Sequence, residues 1–386
     1  MTMLLLAVIY AAFIGLGLPD SVLGSAWPVM YEAMNVPVSC AGIISTLISV
    51  GTVISSLFSD RITLRLGPGK VTAISTALTA ALLLAFSFAS EFWMLCLLAI
   101  PYGLGAGSID AALNNYVALH YSSRHMSWLH CMWGVGTTIG PVIMGWVLTG
   151  GGQWPAGYRI IAAMQAGLTA IILFSLPLWK AHPGQQTDGG KPARAIPIPE
   201  LFRMPGAKEV IITFFCYCAL ESTAGLWASS YLVLHHGITE ETAATCASLF
   251  YIGITVGRAV SGFLTAKFND TQMVRGSFAL MGAGVLVLLL PLGGTAAMAG
   301  LVLFGLGCAP VYPCIIHATP LRFGAERSQA FIGVQMASAY LGSTTMAPLF
   351  GLIGRASDMR LFPIYLAALL CVMTLMHEKL VRVTRV

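Results

Sequence analysis

Twelve stretches of about 20 or more mostly apolar residues follow one another along the chain, each long enough for one α-helix to cross a bilayer. Their approximate bounds are 4–34, 38–60, 70–89, 92–120, 126–149, 158–179, 206–235, 242–266, 272–292, 295–318, 328–354 and 361–377. A helix satisfies its own backbone polar groups, which hydrocarbon cannot do. Composition points the same way. Only 9% of residues are charged, against about 25% in a soluble domain, and the mean hydropathy is +0.82. The expected fold class is an all-α membrane protein.

One connection is both long and polar, "AHPGQQTDGGKPARAIPIPELFRM" at 181–204. Its Pro, Gly, Gln and basic residues suit a cytoplasmic linker between an N-terminal six-helix bundle, 1–180, and a C-terminal one, 205–386. With both termini cytoplasmic, 16 of the 20 basic residues fall on the cytoplasmic side. The outer loops hold only Arg159, Arg355 and Arg360, and Arg258 lies inside a span. This bias supports the topology and an even number of spans. The net charge of +5 therefore reports orientation and predicts no nucleic-acid partner. The first stretch starts at Met3 without a basic flank and runs to about Met34, so it is not expected to be a cleavable signal peptide.

The nine cysteines show neither metal nor redox spacing and read as small packing thiols. No Gly-x-Ser-x-Gly, His-Glu-x-x-His or phosphate-cradling loop occurs. An enzyme, a bound metal and a cofactor are all unexpected.

An internal repeat joins the halves. Asp20 in "GLPDSVLGSAW" stands 201 residues before Glu221 in "CALESTAGLWA". "YGLGAGSIDA" (102–111) matches "FGLGCAPVYP" (304–313), setting Asp110 against Tyr312, and "GTTIGPVIMG" (136–145) matches "STTMAPLFGL" (343–352). "VGTVISS" (50–56) matches "VGRAVSG" (256–262), setting Thr52 against Arg258. Repeats of this kind place a transporter's binding site where they meet, near mid-membrane.

Along its whole length the chain resembles the major facilitator superfamily. That likeness implies the major facilitator fold, twelve transmembrane helices in two pseudo-symmetric six-helix halves. The family's loop signature after the second span is present in altered form as "SLFSDRITLRLGPGK", with Ser56 in place of Gly and two residues inserted. "GAGSIDAALNNYVALH", "SWLHCMWGVGTTIGP" and "GLGCAPVYP" are similar to the fucose–proton symporter group and its sodium–glucose transporter-like relatives. The resemblance implies uptake of a sugar or small polar solute with a cation. It points to Asp110 and Asn114 in the fourth span and His130 in the fifth, and it matches Asp20 to the acidic residue of the group's first helix. The residues around Asp20 differ from that group.

Three acids lie near span centres: Asp20, Asp110 and Glu221. A carboxylate there costs about 2.5–3.5 kcal/mol on insertion scales, so such groups usually face a polar cavity. They are the candidate proton-coupling residues. Asp110 and Asn114 are four apart and share a helix face. Asp20, Gly24 and Trp27 form one stripe, and Pro19 weakens the helix and frees a backbone carbonyl. An acid beside an indole suits a sugar: the carboxylate accepts from hydroxyls and the ring covers C–H faces. Candidate solute-binding residues are Trp27, Asn114, His130, Trp133, Trp227, Tyr312 and Gln335. Arg258 needs a carboxylate or several carbonyls, and with the signature pair Asp60 and Arg61 it is a candidate for a conformational ion pair or gate. For each of these a plain packing or structural hydrogen-bonding role is the competing reading.

The leading expectation is a transporter that takes up a sugar or similar solute by proton symport with alternating access. It would be a monomer in the lipid bilayer of a bacterial inner membrane. Sodium is the alternative cation, since carboxylates and carbonyls suit hard ions. Drug–proton antiport is the runner-up, because "GTTIGPVIMG" is similar to an efflux signature with Met144 replacing a Gly. A solute sensor with the same fold is a third reading, for which the chain offers no large signalling domain.

Overall fold

The computed structural model describes residues 2–179 and 195–385. These residues fold as helices α1 (Thr2–Asp20), α2 (Val22–Ala33), α3 (Ala41–Leu66), α4 (Pro68–Phe86), α5 (Phe92–His120), α6 (Ser123–Thr149) and α7 (Trp154–Trp179). A short α8 (Ile198–Leu201) precedes α9 (Ala207–His236), α10 (Glu240–Leu264), α11 (Asp270–Leu289) and α12 (Gly294–Cys308). Then come α13 (Val311–Phe323), α14 (Ser328–Ala356) and α15 (Phe362–Thr384). No strand occurs among the described residues. Residues 181–194 of the expected linker lie outside the described residues.

Among the described residues, eleven helical stretches are long and apolar enough to cross a membrane; α1 with α2, and α12 with α13, each count as one. The remaining expected span is α14. At 29 residues it is about 44 Å long at 1.5 Å per residue, but Gln329, Gln335 and a run of Ser and Thr make it more polar. The expected second span, ending at 60, is too short. The helix carries on through Asp60 and Arg61 to Leu66 and stops only at Gly67, whose φ of 78° suits glycine, with Pro68 opening α4.

Two compact units emerge. The first draws on residues 1–120, 129–196 and 326–333, the second on 121–128, 197–325 and 334–386. Within the first, α3 and α5 pack closely. A Cβ on Gly103 would run into the Ile48 carbonyl, and one on Gly107 into the Thr52 carbonyl. Such close backbone approach is the usual way helices associate in lipid, where no hydrophobic drive separates helix from solvent. Ser55 completes the seam by bonding the Leu104 carbonyl at 2.5 Å and the Ser108 hydroxyl.

At two of the prolines inside helices of this unit, a side chain satisfies the carbonyl left without its helical donor. Pro19 cannot donate to Gly15, and the buried Gln165 of α7 donates its Nε2 there instead. Pro141 cannot donate to Thr137, and the Ser21 hydroxyl does so at 2.6 Å. The chain breaks between α1 and α2 at this point, with Asp20 ending one helix and Val22 opening the next.

In the second unit α9 packs on α15 and α11 on α12. Tyr217, Tyr231 and Phe214 of α9 are fully buried. A capping box starts α11: Asn269 Oδ1 accepts from the Gln272 N–H at 2.9 Å, and Gln272 Oε1 accepts from the Asn269 N–H at 3.1 Å. Arg275 grips Glu378 through two bonds of 2.7 Å, and Lys379 meets Glu209 at 2.7 Å, fastening α15 to α11 and α9.

Candidate functional site

In the first unit, five of the residues singled out from sequence come together. Asp110 and Asn114 occupy successive turns of α5 and are both buried. Asn114 Nδ2 donates to Asp110 Oδ1 at 2.8 Å and to the Asp110 carbonyl at 3.0 Å. His130 of α6, also buried, reaches Asn114 Oδ1 at 3.0 Å and meets Phe13 of α1 edge to face. Because the Asn114 amide nitrogen is turned to Asp110, its oxygen can only accept. The proton on His130 must therefore sit on Nε2. The result is a directed ladder, His130 to Asn114 to Asp110.

Asp20 differs from Asp110 in its surroundings. It is exposed at the α1–α2 break, and Trp133 of α6 donates its indole N–H to Asp20 Oδ2 at 2.9 Å. The two carboxylates lie within electrostatic reach of one another. Trp133 is three residues beyond His130, so one face of α6 supplies Trp133 to Asp20 and His130 to the amide that bonds Asp110.

Trp27 is placed elsewhere. It is 4% exposed, packs edge-on to Phe92, and gives its indole N–H to the Val38 carbonyl at 2.7 Å. The stripe from Asp20 to Trp27 is interrupted by the helix break. Asp60 is buried near the end of α3 and accepts the Ile196 backbone N–H at 3.2 Å. Arg61 is exposed and lies over the Phe58 ring. From residues 326–333, the Ser328 hydroxyl bonds Asn115 Oδ1 at 2.5 Å, and Gln329 donates to Ser59 at 3.4 Å.

The second unit assembles the other candidates around α9. Arg258 of α10, 3% exposed, faces Glu221 at 3.6 Å. Tyr217 donates to the Cys308 carbonyl at 2.9 Å, at the α12–α13 break, and abuts both members of the ion pair. Tyr312 packs at a tilt against Phe214 and edge-on to Tyr217, and points its hydroxyl at the Met336 sulfur, 2.8 Å away. Gln335 is fully buried and exchanges hydrogen bonds with Thr319 at 3.1 and 3.2 Å. Trp227 gives its N–H to the Ala347 carbonyl at 2.7 Å.

One polar cluster in this unit was not found from sequence. Asp270 accepts from the Ser123 hydroxyl at 2.5 Å and meets His317 Nδ1 at 2.6 Å, while His317 Nε2 faces the Tyr121 carbonyl at 3.1 Å. These residues are far apart in the chain, so no local spacing announces them. No cluster of three or more metal-ligating side chains occurs among the described residues.

A sequence model of the Major Facilitator Superfamily matches residues 9–345 and 210–385. The chain belongs to that superfamily. It is thus a multi-pass membrane transporter by family and not an enzyme. Over 97% of both chains it superposes on a variant of the E. coli fucose:proton symporter FucP with a TM-score of 0.77 at 15% identity. The proton:xylose symporter XylE gives 0.78 at 11% identity, over 97% of this chain and 94% of that one. Both likenesses establish the fold. Among relatives in sequence, the glucose/mannose transporter GlcP of Bacillus subtilis is 20% identical over 89% of this chain and 86% of its own. The Saccharomyces cerevisiae bypass of stop codon protein 6 is 24% identical over 67% of this chain, but the match spans only 56% of that protein. A probable multidrug-efflux transporter of Mycobacterium tuberculosis is 26% identical over 50% of this chain and 41% of its own.

Proposed function

We propose that this member of the superfamily takes up a sugar or similar small polar solute by symport with a proton, through alternating access. The observation that carries this reading is the paired acids of the first unit. Asp110 sits buried at the end of a hydrogen-bonded ladder, and Asp20 is exposed beside an indole. The buried acid is suited to hold and release a proton. The exposed acid is suited to accept hydroxyl hydrogen bonds while Trp133 covers an apolar sugar face. Asn114 and His130 would tie solute contact to the protonation of Asp110, since any rotation of the amide breaks both rungs.

In the second unit the Glu221–Arg258 pair, with Tyr217 and Tyr312, supplies a neutralised charge that a protonation change could release. Asp60 and Arg61, at the end of α3, stay candidates for gating. The sugar specificities in the names of GlcP, FucP and XylE support the solute class. Both termini would be cytoplasmic, and the protein would act as a monomer in a bacterial inner membrane. A membrane potential contributes about 2.3 kcal/mol per charge per 100 mV, enough for a gradient of roughly 50-fold.

Drug–proton antiport is the second reading, favoured by the efflux relative and by the run at 136–145. In the structure Gly136 and Gly140 of that run lie flush on the α1 backbone at Ile14 and Leu18, a close-packing role that any substrate would tolerate. A panel of sugars and lipophilic dyes applied to proteoliposomes with a trapped pH indicator separates the two. Symport predicts that one sugar acidifies the lumen. Dye expulsion, with no response to any sugar, would transfer the protein to the efflux class.

A further inference from the structure

The helices α4 and α7 pack together in the first unit but leave a trough of about 400 Å³ along their outer faces. That volume is in the range of small-ligand pockets, roughly 300–1,000 Å³. Its walls are alanines, Ala77 and Ala81 from α4 and Ala163 and Ala166 from α7. Large apolar side chains on the same helices are exposed around it, Ile74 at 54% and Phe174 at 86%. In a membrane-spanning chain those side chains face hydrocarbon, so lipid can enter the trough.

The trough has direction. Arg159 lines one end and Thr169 the other, ten residues apart on α7 and hence about 15 Å. This is one leaflet of a hydrocarbon core about 30 Å thick. The Arg159 end lies near Trp154, which opens α7. Arg159 is exposed, rests on the Phe88 ring at 5.1 Å, and gives its Nε–H to Ser87 at 3.3 Å. An arginine has five N–H donors in a fork that fits phosphate, and the Ser87 bond uses one.

We propose that this trough is a phospholipid site. One acyl chain lies along the alanine floor from headgroup level to the midplane, and Arg159 binds the lipid phosphate. The proposal needs only the membrane location of the chain and is independent of what is transported.

The test is native mass spectrometry of the full-length protein released from nanodiscs. The bilayer would contain phosphatidylethanolamine and phosphatidylglycerol with a minor fraction of a phosphate-free cationic diacyl lipid. One retained phospholipid per protein is expected. Arg159→Gln should reduce it about fivefold, the effect of one basic residue at an anionic surface. Ala163→Trp and, from the facing wall, Ala81→Trp should each displace it while the circular dichroism of the helices is unchanged. Equal retention in wild type and all three variants would overturn the proposal, as would equal retention of the cationic lipid. A doubled mass that Ala163→Trp abolishes would also overturn it, by showing that a second copy fills the trough.

Discussion

At the scale of single residues, the ladder from His130 through Asn114 to Asp110 depends on one amide that donates on one side and accepts on the other. Replacing Asn114 by Ala leaves the Asp110 carboxylate without its 2.8 Å donor. Loss of a hydrogen bond to a charged group costs about 1.5–3 kcal/mol. With both rungs of the ladder broken, solute affinity should fall roughly 10- to 150-fold. A titration of uptake against solute concentration checks this, and an unchanged half-saturation would remove Asn114 from the site. Trp133→Phe keeps the ring but removes the N–H bonded to Asp20. It should weaken solute binding while proton movement through Asp110 persists, read as a raised half-saturation with an unchanged proton-to-solute ratio. The acids and Asn114 were legible because charges and amides inside apolar runs are costly and stand out. The link from Asn114 to His130 was not, since it joins two helices. Nor did sequence show that Trp27 spends its N–H on Val38, because an indole in an apolar run looks the same whether it packs or binds.

At the scale of elements, proline sites were partly readable. Pro19 announced a freed carbonyl, but its donor, Gln165 of α7, is 150 residues from Gly15 and could only be found in three dimensions. Gln165→Leu should orphan that carbonyl and lower stability by about 1–3 kcal/mol, measured as a drop in thermal midpoint in detergent. A wild-type midpoint would mean that water or a backbone shift replaces the bond. The α3–α5 seam gives a second expectation. Gly107→Val forces a side chain against the Thr52 carbonyl. Overpacking of this kind costs about 1–3 kcal/mol, so expression and thermal midpoint should fall. The extension of α3 beyond Asp60, through Arg61 and Arg65, was missed because these basic residues were read as a loop, whereas the helix ends where Gly67 and Pro68 allow it to.

At the scale of the whole molecule, the count of membrane spans was legible almost completely, because each needs about 20 apolar residues and little else. The polarity of α14 shows the limit of that rule. Its Gln335 is fully buried and bonded to Thr319, so low hydropathy there reflects protein contacts instead of water or lipid. The internal repeat, read as paired motifs, placed Asp110 against Tyr312 and Thr52 against Arg258. Each member of these pairs sits in a different polar setting. The first unit gathers acids with an amide and an imidazole, while the second holds an arginine against Glu221 and tyrosines. A repeated scaffold with diverged chemistry is what asymmetric tasks for the two units would produce.

The most direct test of coupling through Asp110 is solute-driven proton entry into proteoliposomes, compared between wild type and Asp110→Asn. Labelled-solute exchange in the same vesicles serves as the control. Wild type should move protons with solute, and the variant should exchange solute while moving none. Proton entry at the wild-type rate in Asp110→Asn, with exchange intact, would contradict the assignment of the buried acid as the coupling group.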